Sequence, residues 1–292
     1  MSERVVVGTR GSKLALAQTS KVVERLKEEG YSVEIRIIKS TGDIMKDKPL
    51  YEFKGSGAFV RALEHALVRG EIDVAVHSYK DIPSNMLEGV TVSAVLERDS
   101  PYDAFIARNG ESLEEIKPNA VIGTSSLRRR AQLKLYRSDL RFENLRGNVD
   151  TRLRKLREGL YDAIVLAEAG IQRLGLNVKY QRLPIERFVP PANQGIIAVQ
   201  TRVGEEDLVK FMNHEETWIE AEVERIVMKT LGVGCAIPAG IYAECRGKVR
   251  LIVQVIRDGR EFKVIEELSR ESAIEEAREI AENFREEVGL RA

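Results

Sequence analysis

Cysteine, histidine and tryptophan are scarce in this chain: two Cys, three His and one Trp in 292 residues. Two cysteines, Cys235 and Cys245, cannot build a disulfide framework, and three histidines do not supply a zinc cluster, so no metal site is expected. No run approaches the roughly 18 consecutive apolar residues of a membrane-spanning helix. The N-terminus passes from Met1-Ser2-Glu3-Arg4 directly into Val5-Val6-Val7, without the charged, apolar and small-residue order of a signal peptide, and the expected location is cytoplasmic. Net charge is absent as well. The 46 Lys+Arg balance 46 Asp+Glu, which argues against whole-molecule binding to DNA or to an anionic membrane. What remains, 43% hydrophobic and 32% charged residues, describes a globular chain long enough for two or three domains.

The hydrophobic patterns give an α/β fold class. Residues 5–7 read as a short buried strand entering a helix over 12–29, with Leu14, Val22, Val23 and Leu26 as its apolar stripe. Val33, Ile35 and Ile37 alternate with charged residues, as in a strand. A loop over 41–57 is long for a simple connection; a helix over 59–68 and a strand over 72–76 then complete a βαβ rhythm that implies a parallel sheet. The same grammar returns later. Val121-Ile122-Gly123-Thr124 enters a helix near Ser126 as Val6-Val7-Gly8-Thr9 enters one near Ser12. Gly159-Leu160-Tyr161-Asp162 opens a strand over 163–166 as Gly70-Glu71-Ile72-Asp73 opens its counterpart.

Two similar α/β domains follow from this echo, one over 1–97 and 195–214 and one over 98–194, with ligands expected beyond the carboxyl ends of strands in a shared cleft. After Pro190-Pro191, residues 196–199 read as a strand returning to the first domain. A helix over 215–229, strands over 239–244, 249–256 and 262–268, and a closing amphipathic helix form a small α+β third domain, 215–292. The closing helix carries Ile274, Ala277, Ile280, Ala281, Phe284 and Val288 on one face, and Ser272 with Glu275 has capping-box spacing at its start.

Three places hold candidate chemistry. Residues 121–160 carry 11 Lys+Arg against 4 acids, a local +7 inside a neutral chain. A solvated helix face is the bland explanation. Yet Ser126-Leu127-Arg128-Arg129 and Arg146-Gly147-Asn148 open helices just after strands, where guanidinium forks and unpaired backbone N–H groups suit carboxylates or phosphates. With only Tyr136 and Phe142 as aromatics here, a small or medium polyanion fits better than single-stranded nucleic acid. The second place is Gly232-Val233-Gly234-Cys235, either a buried structural cysteine in a tight turn or an approachable thiol. The third is His77-Ser78-Tyr79-Lys80-Asp81-Ile82-Pro83 after a buried strand, whose charges face the expected cleft or form a loop ion pair worth little.

These segments resemble the signatures of the porphobilinogen deaminase (hydroxymethylbilane synthase) family. The resemblance rests on Gly8-Thr9-Arg10-Gly11-Ser12-Lys13-Leu14-Ala15, His77 to Pro83, and Gly123-Thr124-Ser125-Ser126-Leu127-Arg128-Arg129. It continues through Leu145-Arg146-Gly147-Asn148-Val149-Asp150-Thr151-Arg152, Leu166-Ala167-Glu168-Ala169-Gly170 up to Arg173, and Gly234-Cys235-Ala236-Ile237-Pro238. The segments occur in the family's order and cover nearly the whole chain.

The resemblance implies two periplasmic-binding-protein-like α/β domains around a cleft, plus a small C-terminal α+β domain with an antiparallel sheet and helices. It implies a transferase of tetrapyrrole and haem biosynthesis that joins four porphobilinogen units head to tail, with loss of ammonia, into hydroxymethylbilane. The primer is a dipyrromethane cofactor held by a thioether to Cys235. The family's binding residues fall on Arg10, Ser12, Ser126, Arg128, Arg129, Arg146, Arg152 and Arg173, with Lys80 pairing cofactor carboxylates and Asp81 as the catalytic acid. Each pyrrole brings an acetate and a propionate, which arginine grips bidentately without ever deprotonating. The implied partner is the small-molecule substrate alone, with no nucleic acid and no membrane, and the protein acts as a monomer.

Three departures accompany the match. Gly55-Ser56-Gly57 stands where Gly-Lys-Gly is common, with Lys54 or Lys48 available as substitutes; Asn193 replaces a usual glycine and Gln200 a usual glutamate. Two rival readings predict part of the pattern. A non-catalytic anion-binding protein of the same two-lobed architecture explains the arginines but leaves Cys235 and Asp81 without a role. An RNA-binding protein using residues 128–157 leaves the first domain's segments unexplained.

Overall fold

The computed structural model describes residues 3–39, 58–234 and 237–290. The expected 41–57 loop, with Lys48 and Lys54, and the expected attachment residue Cys235 lie outside the described residues. In chain order the strands are β1 (Arg4–Thr9), β2 (Ser32–Ile37), β3 (Val74–Ser78), β4 (Val90–Val95), β5 (Asp103–Ala107), β6 (Val121–Gly123), β7 (Arg141–Glu143), β8 (Ala163–Ala167), β9 (Gln181–Arg182), β10 (Ile197–Arg202), β11 (Ala239–Arg246), β12 (Lys248–Arg257) and β13 (Arg260–Leu268). The α-helices are α1 (Lys13–Glu28), α2 (Ala58–Val68), α3 (Leu127–Tyr136), α4 (Val149–Arg157), α5 (Glu168–Arg173), α6 (Glu215–Leu231) and α7 (Ala273–Val288). Two compact units divide the chain: Met1–Arg98 with Ile196–Trp218, and Asp99–Gly195 with Ile219–Ala292.

In the first unit the sheet order is β2-β1-β3-β10-β4. β1 runs parallel to β2 and β3, while β10 runs antiparallel to β3 and β4. Alternation along the strands sends Val5, Val7, Val74 and Val76 to one face, where Val22, Val23 and Leu26 of α1 cover them. Ile72 and Ala75 pack on the other face with Leu63 and Leu67 of α2.

The second unit repeats this plan. Its sheet order is β7-β6-β8-β5-β9, with β6 parallel to β7 and β8 and β5 antiparallel to β8. Both sheets are therefore mixed, where the βαβ rhythm implied a parallel one. β5 and β10 lie at the same place in the two orders, and both run against the strand they join. The sequence pattern missed this because β5, buried along its whole length, shows no alternation to mark it, and β10, though legible as a strand, carries no signal for the direction in which it joins β3.

The sequence echo is physical. Val6 N–H donates to the Asp73 carboxylate at 2.9 Å, and Val121 N–H donates to the Asp162 carboxylate at 2.8 Å. Each aspartate returns its own N–H to the same partner's carbonyl, at 2.8 and 2.9 Å. The glycines of the echo are close approaches: a Cβ on Gly8 would lie 2.3 Å from Ile72 Cδ1, and one on Gly123 2.8 Å from the Tyr161 ring.

The rest of the second unit is a three-stranded antiparallel sheet, β11-β12-β13. One face packs Val249, Leu251, Val253 and Val255 among Val223 and Val227 of α6 and Ala277, Ala281 and Phe284 of α7. The opposite face sets Tyr242 and Ile252 against Ile185 and Val189. The capping box expected at α7 does not form. Ser272 has non-extended backbone angles (φ −115°, ψ 14°) and makes no side-chain cap; its hydroxyl donates instead to the Glu276 carboxylate.

Gly123→Ala should overpack the Tyr161 contact and cost about 1–3 kcal/mol. The Tyr161 ring cannot swing away easily, because its hydroxyl donates to Asn144 O at 2.7 Å. Urea unfolding of the variant against the parent chain checks this.

Candidate active site

In the first unit the expected residues gather where β1 and β3 end. These strands are parallel neighbours, with Gly8 opposite Ala75, so the loops that follow them leave from one sheet edge. Ser12 caps α1, its hydroxyl accepting from Ala15 N at 3.2 Å, while half-buried Arg10 lies between strand end and cap. Ser78, ending β3, accepts from Gln18 Nε2 of α1 at 2.7 Å. A single 3₁₀ turn, Tyr79–Asp81, follows. Buried Tyr79 and Ile82 anchor the turn, with Tyr79 N donating to Ile196 O and Ile82 N to Tyr79 O, both at 3.0 Å. Lys80 and Asp81 between them are exposed. Arg10, Ser12, Lys80 and Asp81 thus share one edge.

His77, one residue before Ser78, is buried, and its pKa is pushed down to about 4. Burial is the main cause; Gln200 opposes it in part, and the positive charge of Arg10 adds to it. His77 is therefore neutral at pH 7.

In the second unit three loops follow the parallel strands β6, β7 and β8. Ser126 caps α3, its hydroxyl accepting from Arg129 N at 3.4 Å. Ser125 is tied to Leu145 by hydrogen bonds of 3.0 and 3.1 Å, which join the β6 and β7 loops. Half-buried Arg146 and Arg152 flank the start of α4, with Arg152 Nε donating to Gly147 O at 2.8 Å. Arg173, ending α5, has a side chain only 5% exposed; its Nε meets Asp99 at 2.7 Å and its Nη2 donates to Gly195 O at 2.6 Å.

Much of the +7 of residues 121–160 is answered internally. Arg130 donates twice to Thr124 O, Arg137 pairs with Asp139 and reaches Leu113 O, and Lys155 reaches Arg146 O. Arg128 is buried: its guanidinium bonds Asp103, Gln132 Oε1 and Val189 O. Arg129 also pairs with Asp103 and donates to Val165 O. Asp103 and Asp99 went unnoticed in the sequence. A signal existed for Asp103, an acidic residue heading the otherwise apolar strand Asp103-Ala104-Phe105-Ile106-Ala107.

Gly234 and Ile237, which flank the undescribed Cys235-Ala236 pair, are joined by an Ile237 N to Gly234 O bond of 3.3 Å. Cys245 is buried in the core of the antiparallel sheet. Among the described residues no cluster of His, Cys, Asp and Glu is arranged to hold a metal, and no helix is long and apolar enough to cross a membrane.

Hydroxyl caps and arginine forks on successive loops of a sheet edge define a class: an α/β protein whose donors suit small molecules bearing several carboxylates. Comparisons with known proteins narrow this. A family model described as porphobilinogen deaminase, dipyromethane cofactor binding domain, matches residues 5–210, and its C-terminal domain matches residues 218–288. A probable porphobilinogen deaminase from Archaeoglobus fulgidus is 66% identical, covering 98% of this chain and 99% of that protein. One from Methanocella arvoryzae is 48% identical over 95% of this chain and 93% of its own length. Among solved structures, a probable amino-acid ABC transporter extracellular-binding protein from Bacillus subtilis has a TM-score of 0.43 at 11% identity, covering 73% of this chain and 91% of that one. An ABC transporter periplasmic substrate-binding protein from Coxiella burnetii has a TM-score of 0.42 at 14% identity, covering 76% and 96%. The chain belongs to the porphobilinogen deaminase family.

Because His77 binds its proton less readily folded than unfolded, acid favours the unfolded chain. Its contribution to stability is complete above pH 6.5 and is lost as pH falls to about 4, a total of about 3 kcal/mol. Subtracting the pH profile of His77→Gln unfolding from that of the parent should show this slope in that window and nowhere else.

Proposed function

We infer that this chain is a transferase that condenses four porphobilinogen molecules, with loss of ammonia, into linear hydroxymethylbilane. The observation that carries the reading is the placement of the family's donor residues on the carboxyl edges of both mixed sheets. No comparable observation supports a non-catalytic role.

The residues present fit a dipyrromethane cofactor. Its carboxylates need several fixed cationic donors, and the buried Nε of Arg129 has no hydrogen-bond partner among the described residues. Cys235 would hold the group by a thioether; in the second unit Ser126, Arg129, Arg146, Arg152 and Arg173 are the donors suited to pyrrole carboxylates, and in the first unit Arg10, Ser12 and Lys80 are. Bound there, the group supplies the pyrrole carbon to which the first substrate unit is joined. Arg128 supports the same helix start from behind, through Asp103.

Asp81 is the catalytic residue in this reading. Ammonia leaving the aminomethyl group of porphobilinogen develops positive charge on the pyrrole, and a carboxylate close to the ring N–H opposes it. At about 4 Å and an effective dielectric near 20, such a pair is worth about 4 kcal/mol, nearly a thousandfold in rate. The same carboxylate can relay the protons that the leaving amine gains and the attacked carbon loses. Anchoring by Tyr79 and Ile82 gives Asp81 a fixed base while leaving its carboxylate exposed. The domains divide as 1–97 with 195–214, 98–194, and 215–292, and the enzyme works as a cytoplasmic monomer.

Intact-mass measurement of the purified protein should show a dipyrrole adduct that maps to the Cys235 peptide and is absent from Cys235→Ser. An unmodified, fully active chain would refute the cofactor assignment. Asp81→Ala should lower kcat by about a thousandfold, the value of the pair above, and Asp81→Glu should retain a little turnover. Rates of porphobilinogen consumption check both variants, and parent-like rates in Asp81→Ala would remove Asp81 from the mechanism.

A further inference from the structure

Asp103 begins β5 at 1% exposure, opposite Ala167 at the end of β8. It therefore lies at the sheet edge from which the site loops depart. Its two carboxylate oxygens are used separately. Oδ2 meets Arg128 Nη2 at 2.7 Å, whereas Oδ1 meets Arg129 Nη2 at 2.7 Å and accepts from Gln194 Nε2 at 3.0 Å. Burial by itself would push the carboxyl up, but the guanidiniums of Arg128 and Arg129 hold it well below the usual carboxylate range.

The two arginines are held differently. Arg128 is fixed at three points, Asp103, Gln132 and Val189 O, and its side chain is 7% exposed. Arg129 is fixed at two, Asp103 and Val165 O. Its Nε, buried and without a hydrogen-bond partner among the described residues, is the donor that those two bonds orient. Without Asp103, two adjacent guanidiniums would share one buried place with no counter-charge, and repulsion would separate them. Four residues earlier Asp99 grips Arg173 in the same way, so residues 99–103 supply the acid for three of the arginines assigned to the site.

We propose that Asp103 is a positioning residue, which sets the direction of the Arg129 fork toward carboxylates of the pyrrole chain and uses Arg128 as a strut. The proposal rests on the function inferred above. Asp103 touches no substrate; it acts through Arg129. Its charge also leaves the Arg128–Arg129–Asp103 group at +1, enough to attract a carboxylate without the repulsion of two unpaired cations.

The test uses the full-length, cofactor-loaded protein. Asp103→Glu keeps the charge but displaces the carboxylate by one methylene; Asp103→Asn keeps the shape and removes the charge. Positioning predicts that each raises KM for porphobilinogen about tenfold or more while kcat stays within about threefold. It also predicts that Asp103→Glu adds nothing further to KM in an Arg129→Gln background, since the residue acted on is gone. Lowered Tm with parent-like KM in both variants would overturn the proposal, as would an equal KM effect with and without Arg129. Failure of both variants to fold would make Asp103 a structural residue and overturn it as well. The parent chain in the same assay separates the two readings: no porphobilinogen turnover by the parent defeats the inferred function, whereas parent turnover with unaltered KM in the variants defeats only the positioning role.

Discussion

A protein that gathers arginines to hold carboxylates must first hold the arginines, because like charges crowded on one sheet edge repel before any ligand arrives. In this chain the buried carboxylate of Asp103 meets that constraint for Arg128 and Arg129. One partner becomes part of the frame and the other keeps a donor in reserve. Asp99 does the same for Arg173, and backbone carbonyls of Thr124, Gly147 and Arg146 receive donors from Arg130, Arg152 and Lys155. A buried pair of this kind adds little net stability compared with apolar packing, yet losing one member leaves an uncompensated charge. Its effect is to fix two neighbouring guanidiniums at the sheet edge from which the loops depart.

That edge is made twice by one local design. A strand carries a close-packed glycine at or one residue before its end, a serine caps the helix that follows, and an aspartate two strands along stitches the parallel pair through a backbone N–H. The order of strands agrees between the two sheets, including the antiparallel strand in fourth place. What differs is the load on the edge. The first unit presents the turn with Lys80 and Asp81, and the second presents most of the arginines. An exposed carboxylate-bearing turn and an arginine-rich edge thus come from two copies of the same scaffold.

The acidic balance of residues 203–292, 20 acids against 13 bases, is only partly a solvated surface. Glu224, fully buried on α6, accepts from Ala243 N at 2.7 Å and from Asn193 N; Glu220 accepts from Cys245 N at 3.0 Å. These carboxylates close backbone groups at the edge of the third sheet, and Glu224 also reaches the segment where Asn193 has a positive φ of 62°. Regional charge showed the surplus of acid but not its use, since a carboxylate's burial depends on what packs over it.

Most helices and the alternating or glycine-bounded strands were legible from the residues alone, because their periods and capping serines are written within a few positions of each other; the buried strands β4 and β5 and the short β7 and β9 were not. The echo between the two α/β halves was legible for the same reason, and so was the ordered set of family segments from Arg10 to Cys235. The tertiary structure decided what those residues do. Arg128 and Arg129 are adjacent in sequence and alike in type, yet Arg128 is held at three points and Arg129 at two, with its Nε left without a partner among the described residues. The difference comes from Asp103, Val165 and Val189, which lie 25 to 61 positions away along the chain. Local patterns specify which side chains are available at a helix start. Only packing across that distance specifies which of their hydrogen bonds are already taken.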